Sequence, residues 1–189
     1  MKLASPTKLI TAASLLGLAA ADSPWFCHEN DCPLFTNSSE GGTEVRIYEA
    51  AYWTSTNVSS TSLDEASSIG FHRLFDYISG ENDSGGAIDM TSPVLNQVIP
   101  GAGPNCNSTF IVSFYAPFAY QADPGPPQPT SPDVYVQKLP AMQVAVSEFG
   151  GFANQKVVIA EAAALETEVS FLPSLANLPA PLTNLPCLR

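Results

Sequence analysis

The chain has 189 residues, 45% of them apolar, which suffices for one domain with a core of its own. Lys and Arg number 7 against 18 Asp and Glu, a formal net charge of −11. No basic patch is available to neutralise phosphates, so nucleic acid and anionic membrane surfaces are excluded as partners.

In chain order, Lys2 and Lys8 precede the apolar run Leu9 to Leu18, and Ala19-Ala20-Ala21 supplies small residues before Asp22. Residues 1–21 read as a secretory signal peptide, too short an apolar run for a good membrane span. A secreted chain with no membrane span after cleavage is expected. Cleavage removes two lysines and no acids, taking the charge from −11 to −13. In an oxidising compartment, Cys27, Cys32, Cys106 and Cys187 read as two disulfides, with three connectivities open. A metal site at Cys27-x4-Cys32 with His28 is the weaker reading, because the chain has no second Cys/His pair. Sequons at Asn37, Asn57, Asn82 and Asn107 fit a secreted glycoprotein.

Ser, Asn, Gly and Pro predict a loop from Asp22 to Gly42. Thr43 to Val58 predicts strand, with Val45 and Ile47 alternating with polar neighbours and a bend or bulge at Ala50-Ala51. Ser62-Leu63-Asp64-Glu65 is a capping box opening a helix to about Ser79, and Gly80 stands at its C-terminal cap. Phe71, Leu74, Phe75 and Ile78 fall at i, i+3, i+4 and i+7 and line one face. Strand is predicted over Ile88 to Ile99, with Pro93 at an edge or bulge, and over Thr109 to Tyr115, where Phe110, Val112 and Phe114 alternate. Five prolines between Asp123 and Asp133 predict a polyproline-like connection. Two strands, Asp133 to Leu139 and Met142 to Phe149, then lead to a helix over Ala153 to Val169.

That strand-bend-strand-helix order repeats the first half, so an α+β fold of two pseudo-repeats is expected, an antiparallel sheet with helices to one side. Four prolines between Phe171 and Arg189 leave no strand-length run where the repeat asks for a strand pair. The C-terminal pair is expected to be missing, leaving unpaired sheet edges, and 171–189 reads as an irregular tail of a truncated or mis-spliced product. The division is 1–21 signal peptide, 22–170 domain and 171–189 tail.

Catalytic signatures are sparse. His28 and His72 are the only histidines, and no GxSxG elbow, HExxH or EF-hand pattern occurs. Asp64/Glu65 and Glu166/Glu168 read as solvated helix ends and faces. Binding is expected, not catalysis.

The helix Gly70-Phe71-His72-Arg73-Leu74-Phe75-Asp76-Tyr77-Ile78-Ser79-Gly80-Glu81-Asn82, followed by Met90-Thr91-Ser92-Pro93-Val94, resembles the SOUL haem-binding protein family. The match extends through Glu44 to Glu49 and Trp53 to Thr56 upstream. Downstream it takes in Gly101 to Pro104, Ser108 to Phe110, Pro124 to Pro132 and Phe149 to Phe152, covering roughly Ser23 to Val169. The resemblance implies a distorted antiparallel β-barrel of two pseudo-repeats with two flanking helices. It also implies haem or another tetrapyrrole, a small apolar planar ligand, in a shallow cleft beside the first helix. Carried over by position, the cleft involves Ser68, Phe71, His72, Phe75 and Asp76, with Arg73 as local cation and His72 as candidate iron ligand. Cys106 pairing with Cys27 or Cys32 is implied in the same way. The plainer reading of Phe71 and Phe75 is core packing, and of His72 a surface histidine.

The chain departs from the family at three positions. Ile47 stands where an axial histidine has been proposed, and Ser68 and Asp76 stand where basic partners for propionates are expected. Two functions follow: a secreted tetrapyrrole carrier or scavenger, or a secreted disulfide-stabilised interaction module that keeps the fold without haem. Oligomeric state is left open.

Overall fold

A computed structural model describes residues 24–101 and 107–172. Seven strands and two helices follow in order: β1 Phe35–Glu40, β2 Thr43–Tyr48, β3 Ala51–Ser60, α1 Leu63–Ile78, β4 Val94–Ile99, β5 Ser108–Tyr115, β6 Val134–Leu139, β7 Met142–Val146 and α2 Gln155–Val169. All pairings are antiparallel, in a three-stranded sheet β1-β2-β7 and a four-stranded sheet β4-β5-β3-β6. The α+β class and the flanking helices are as predicted. Among the described residues the sheets do not close into a barrel.

The two sheets are arms of one bent ladder. β2 runs on into β3 across Glu49-Ala50, and β6 into β7 across Pro140-Ala141. Tyr48 pairs with Met142 and Ala51 with Leu139, so both strands advance three residues across the bend without a bulge. Pro140 has no amide hydrogen to offer there. The Glu49 amide instead donates to the Leu34 carbonyl at 3.1 Å.

Helix α1 is capped as its sequence requires. Ser62 Oγ accepts from the Glu65 amide at 3.2 Å, and Ser60 Oγ donates to the Glu65 carboxylate at 2.7 Å. Its buried face is Ala66, Gly70, Leu74, Tyr77 and Ile78, laid across β3 and β5. This corrects the predicted stripe: Leu74 and Ile78 are in it, Phe71 is half-buried, and Phe75 is 48% exposed. Gly70 supplies the reason. A Cβ there would lie 2.3 Å from Val112 Cγ2, so only a residue without one lets the helix backbone rest on β5. Small residues turn inward, and the two phenylalanines are carried to the flank.

Leu74, Tyr77, Ile78, Ile88, Val112, Phe114 and Val134 form the main core beneath α1. On the opposite face of the sheet, Ala51, Trp53 and Tyr115 form a second cluster. Helix α2 is capped by Asn154 Oδ1, which accepts from the Val157 amide at 3.1 Å, yet no α2 residue is fully buried.

Two further expectations change. β1 lies within the predicted 22–42 loop; it is an edge strand whose central residues face solvent, so no apolar alternation marks it. Cys27 bonds to Cys32, with Cα atoms 5.8 Å apart across a turn in which His28 and Glu29 take positive φ. The implied pairing of Cys106 with one of them is thereby replaced, and thiolate metal ligation at Cys27 and Cys32 is ruled out. The predicted Pro-rich connection is docked on the turn after α1. Asn82 bridges to Pro129, the Asp83 amide donates to the Gln128 carbonyl at 2.8 Å, and Tyr77 Oη donates to the Pro127 carbonyl at 2.7 Å. The predicted signal peptide, Cys106, Cys187 and tail residues 173–189 lie outside the described residues.

Candidate ligand site on the flank of helix α1

At the C-terminal end of α1 a void of about 10 Å³, lined by residues including Tyr77, Ile88 and Phe114, has room for one water molecule. A planar ligand does not fit there. The surface that suits it is the flank of α1 towards β4.

Phe71 and Phe75, one turn apart, stack with ring centroids 6.1 Å apart and planes 14° from parallel. Phe71 is anchored edge-on to Phe114 of β5 at 5.3 Å, while Phe75 extends the aromatic surface into solvent. Register places the rest of the site. Phe114, Val112 and Phe110 face α1, and their β4 partners Val94, Asn96 and Val98 share that face. Ser67 Oγ donates to Asn96 Oδ1 at 3.1 Å, which ties the helix flank to the strand. Phe71 and Phe75 on α1 and Val94, Asn96 and Val98 on the neighbouring β4 thus share one open surface, the candidate groove.

His72 adjoins this wall, its ring edge-on to Phe71 at 6.3 Å. Nδ1 lies 2.7 Å from the Ser68 carbonyl oxygen. A carbonyl only accepts, so Nδ1 carries the proton, and in the neutral ring Nε2 keeps its lone pair. Ser68 thus sets the tautomer that leaves Nε2 able to ligate a metal.

The other predicted site residues fall elsewhere. Asp76 is exposed one turn beyond His72. Arg73 lies on the opposite flank of α1, its guanidinium donating to Thr56 Oγ1 and the Asn57 carbonyl at 3.2 Å each and pairing with Asp133 at 3.4 Å. The structure therefore brings Ser68, Phe71, His72 and Phe75 together and leaves Arg73 apart. Ile47, 45% exposed, is on β2 in the other sheet. Sequence reasoning missed Ser67, Val94, Asn96 and Val98. The four-residue step from Ser67 to Phe71 places Ser67 on the same helix flank, whereas Val-Leu-Asn-Gln-Val-Ile in β4 carries no apolar alternation to mark its outward residues.

The far end of the groove is braced by the disulfide loop. The Ser92 amide donates to the Asp31 carbonyl at 3.0 Å, and Asp31 Oδ2 accepts from the Phe118 amide at 2.7 Å. Thr91 Oγ1 donates to the Tyr115 carbonyl at 2.7 Å, so the segment leading into β4 is held on three sides.

The sequence model of the SOUL heme-binding protein family matches residues 30–180, most of the chain. The chain belongs to the SOUL family. It is 41% identical over 114 residues to heme-binding protein 2 of Homo sapiens, covering 60% of this chain and 55% of that protein. Heme-binding protein 2 of Mus musculus is 40% identical over the same length. Heme-binding protein 1 of Xenopus laevis is 31% identical over 140 residues, 73% of each chain. The chain spans about half the length of the heme-binding protein 2 relatives it matches. These SOUL relatives are named for what they bind, not for a reaction they catalyse.

Proposed function

We propose that this SOUL protein is a secreted tetrapyrrole-binding carrier or scavenger, not an enzyme, whose ligand lies in the groove between α1 and β4. The observation that carries the reading is the solvent-facing stack of Phe71 and Phe75 beside a His72 whose Nδ1 is occupied by its own helix. Two nearly parallel rings facing solvent form an aromatic surface that a flat macrocycle can extend by stacking. Phe71, Phe75, Val94 and Val98 would hold the macrocycle, and His72 Nε2 is the nitrogen placed to meet its iron. The bound group would supply a metal centre and a broad apolar face; the chain supplies stacking and the imidazole.

Secretion is supported by the basic, apolar and small-residue succession over 1–21 and by the Cys27–Cys32 disulfide. Of the four sequons, Asn37, Asn57 and Asn107 are exposed and open to glycans. Asn82 is 4% exposed, and its amide is engaged by Tyr77, Ser84 and Gly86. It is expected to be unmodified in the folded protein.

Haemin titration of the cleaved, secreted protein, followed by Soret absorbance, tests the reading. A saturable one-to-one shift is expected, weakened about tenfold or more by Phe75→Ala and altered in band position by His72→Ala. A folded chain with no saturable shift would leave the second reading, an interaction module that keeps the fold without tetrapyrrole. That reading draws on Ile47, Ser68 and Asp76, none of which can serve haem as the corresponding family residues are expected to.

A further inference from the structure

We infer that the groove selects planar macrocycles whose carboxylates are masked or absent over free dicarboxylic porphyrins. The inference rests on the tetrapyrrole reading above and follows from where the cations are. Among the described residues the Lys and Arg side chains are Arg46, Arg73, Lys138 and Lys156. Arg46 sits between the rings of Phe26 and Phe35, 4.9 Å from each centroid, and its Nε bonds to the Glu44 carboxylate at 2.7 Å. Lys138 lies 3.6 Å from the Asp123 carboxylate and over the Tyr52 ring. Arg73 is turned to the opposite flank of α1 and engaged there by Asp133. Lys156 stands at the start of α2 in a cleft it shares with Asp64, about two turns of α1 from Phe71.

No described cation therefore borders the Phe71/Phe75 wall, and Asp76, exposed one turn beyond His72, adds a negative charge to the same helix. The surrounding field is negative as well, from a chain of net charge −11. An apolar macrocycle gains the stacking and burial the groove offers, whereas two ionised carboxylates at its rim add repulsion with no partner. The groove that fits the ring does not fit the acids.

Metal-free protoporphyrin IX and its dimethyl ester provide the test, because neither depends on ligation by His72. Binding to the native chain is read by porphyrin fluorescence anisotropy at low salt and at about 0.5 M salt. The diester is expected to bind at least about tenfold more tightly than the diacid. The gap should narrow in high salt, where charges beyond a few ångströms are screened. It should narrow again in Asp76→Lys, an exposed position where the fold is not at stake. Equal affinities in the native chain, or a preference that both salt and Asp76→Lys leave intact, would overturn the inference while keeping the groove. Failure of both porphyrins to bind a folded chain removes the groove itself and this selectivity with it.

Discussion

Helices α1 and α2 each close a strand-bend-strand unit, and each begins with a side-chain cap, yet only one of them is buried. α1 presses Ala66, Gly70 and Leu74 onto β3 and β5 with acidic residues in its first turn, as the helix dipole favours. α2 has Lys156 in its first turn and no acid there, and its apolar residues Val158, Leu165 and Val169 are only half-covered. Its anchors are at its ends, where Gln155 Oε1 accepts from the Leu63 amide at 2.7 Å and Leu172 reaches Gly41. The comparison separates two requirements of a helix: a cap and periodicity make it form, and a close-approach residue facing a sheet makes it pack. α1 has Gly70 for that purpose; α2 has no glycine at all.

Substitutions that remove buried volume should expose this difference most. Leu74→Ala is expected to cost about 2–5 kcal/mol, and Leu165→Ala about 1 kcal/mol or less, by urea denaturation. Equal losses would mean that α2 is buried as deeply as α1. Gly70→Ala should cost about 1–3 kcal/mol, despite the better helix propensity of alanine, because the added methyl meets Val112. A stabilised Gly70→Ala variant would show that the helix can move off β5 freely. Asn82→Ala, which strips the bonds joining the α1 terminus to the following turn, is expected to cost about 1–3 kcal/mol. An unaffected Tm would deny that turn any part in holding α1.

The smallest effect concerns the exposed clamp on the Pro-rich connection. The Tyr52 hydroxyl donates to Asp123 at 2.5 Å, and this bond, with Lys138, holds the Asp123 pKa below its ordinary 3.8. The same bond, then burial, holds Tyr52 above its ordinary 10.0. The carboxylate contribution is present above pH 3.8 and fades as pH falls through the lowered folded value; the phenol contribution is present below pH 10.0 and fades as pH rises through the raised one. Asp123→Ala should lower Tm slightly between these limits and not beyond them. A Tm difference that is flat across the whole range would disconnect the clamp from titration.

Much of this was readable from residues alone, because the signals were local. The capping box at Ser62 and the alternation of Phe110, Val112 and Phe114 appear where they were expected, and the bend expected at Ala50-Ala51 falls one residue earlier. The failures were non-local. Periodicity places Phe71 and Phe75 on the same stripe as Leu74 and cannot tell which edge of that stripe a sheet will cover; the inward turn of Gly70 decided it. β1 carries no apolar pattern because it is an edge strand hydrogen-bonded on one side only. The far wall of the groove required the β4–β5 register, which no window along the chain contains.

The common register on the two sides of the Glu49-Ala50 and Pro140-Ala141 bend has a consequence for how the chain avoids error. Because β2/β7 and β3/β6 share one register, a one-residue slip in either arm propagates into the other. It would turn Val45 and Trp53 outward together, although they belong to different sheets. The alignment is proofread twice, by two separate hydrophobic surfaces, and a mispaired arm has no neighbour with which it can agree.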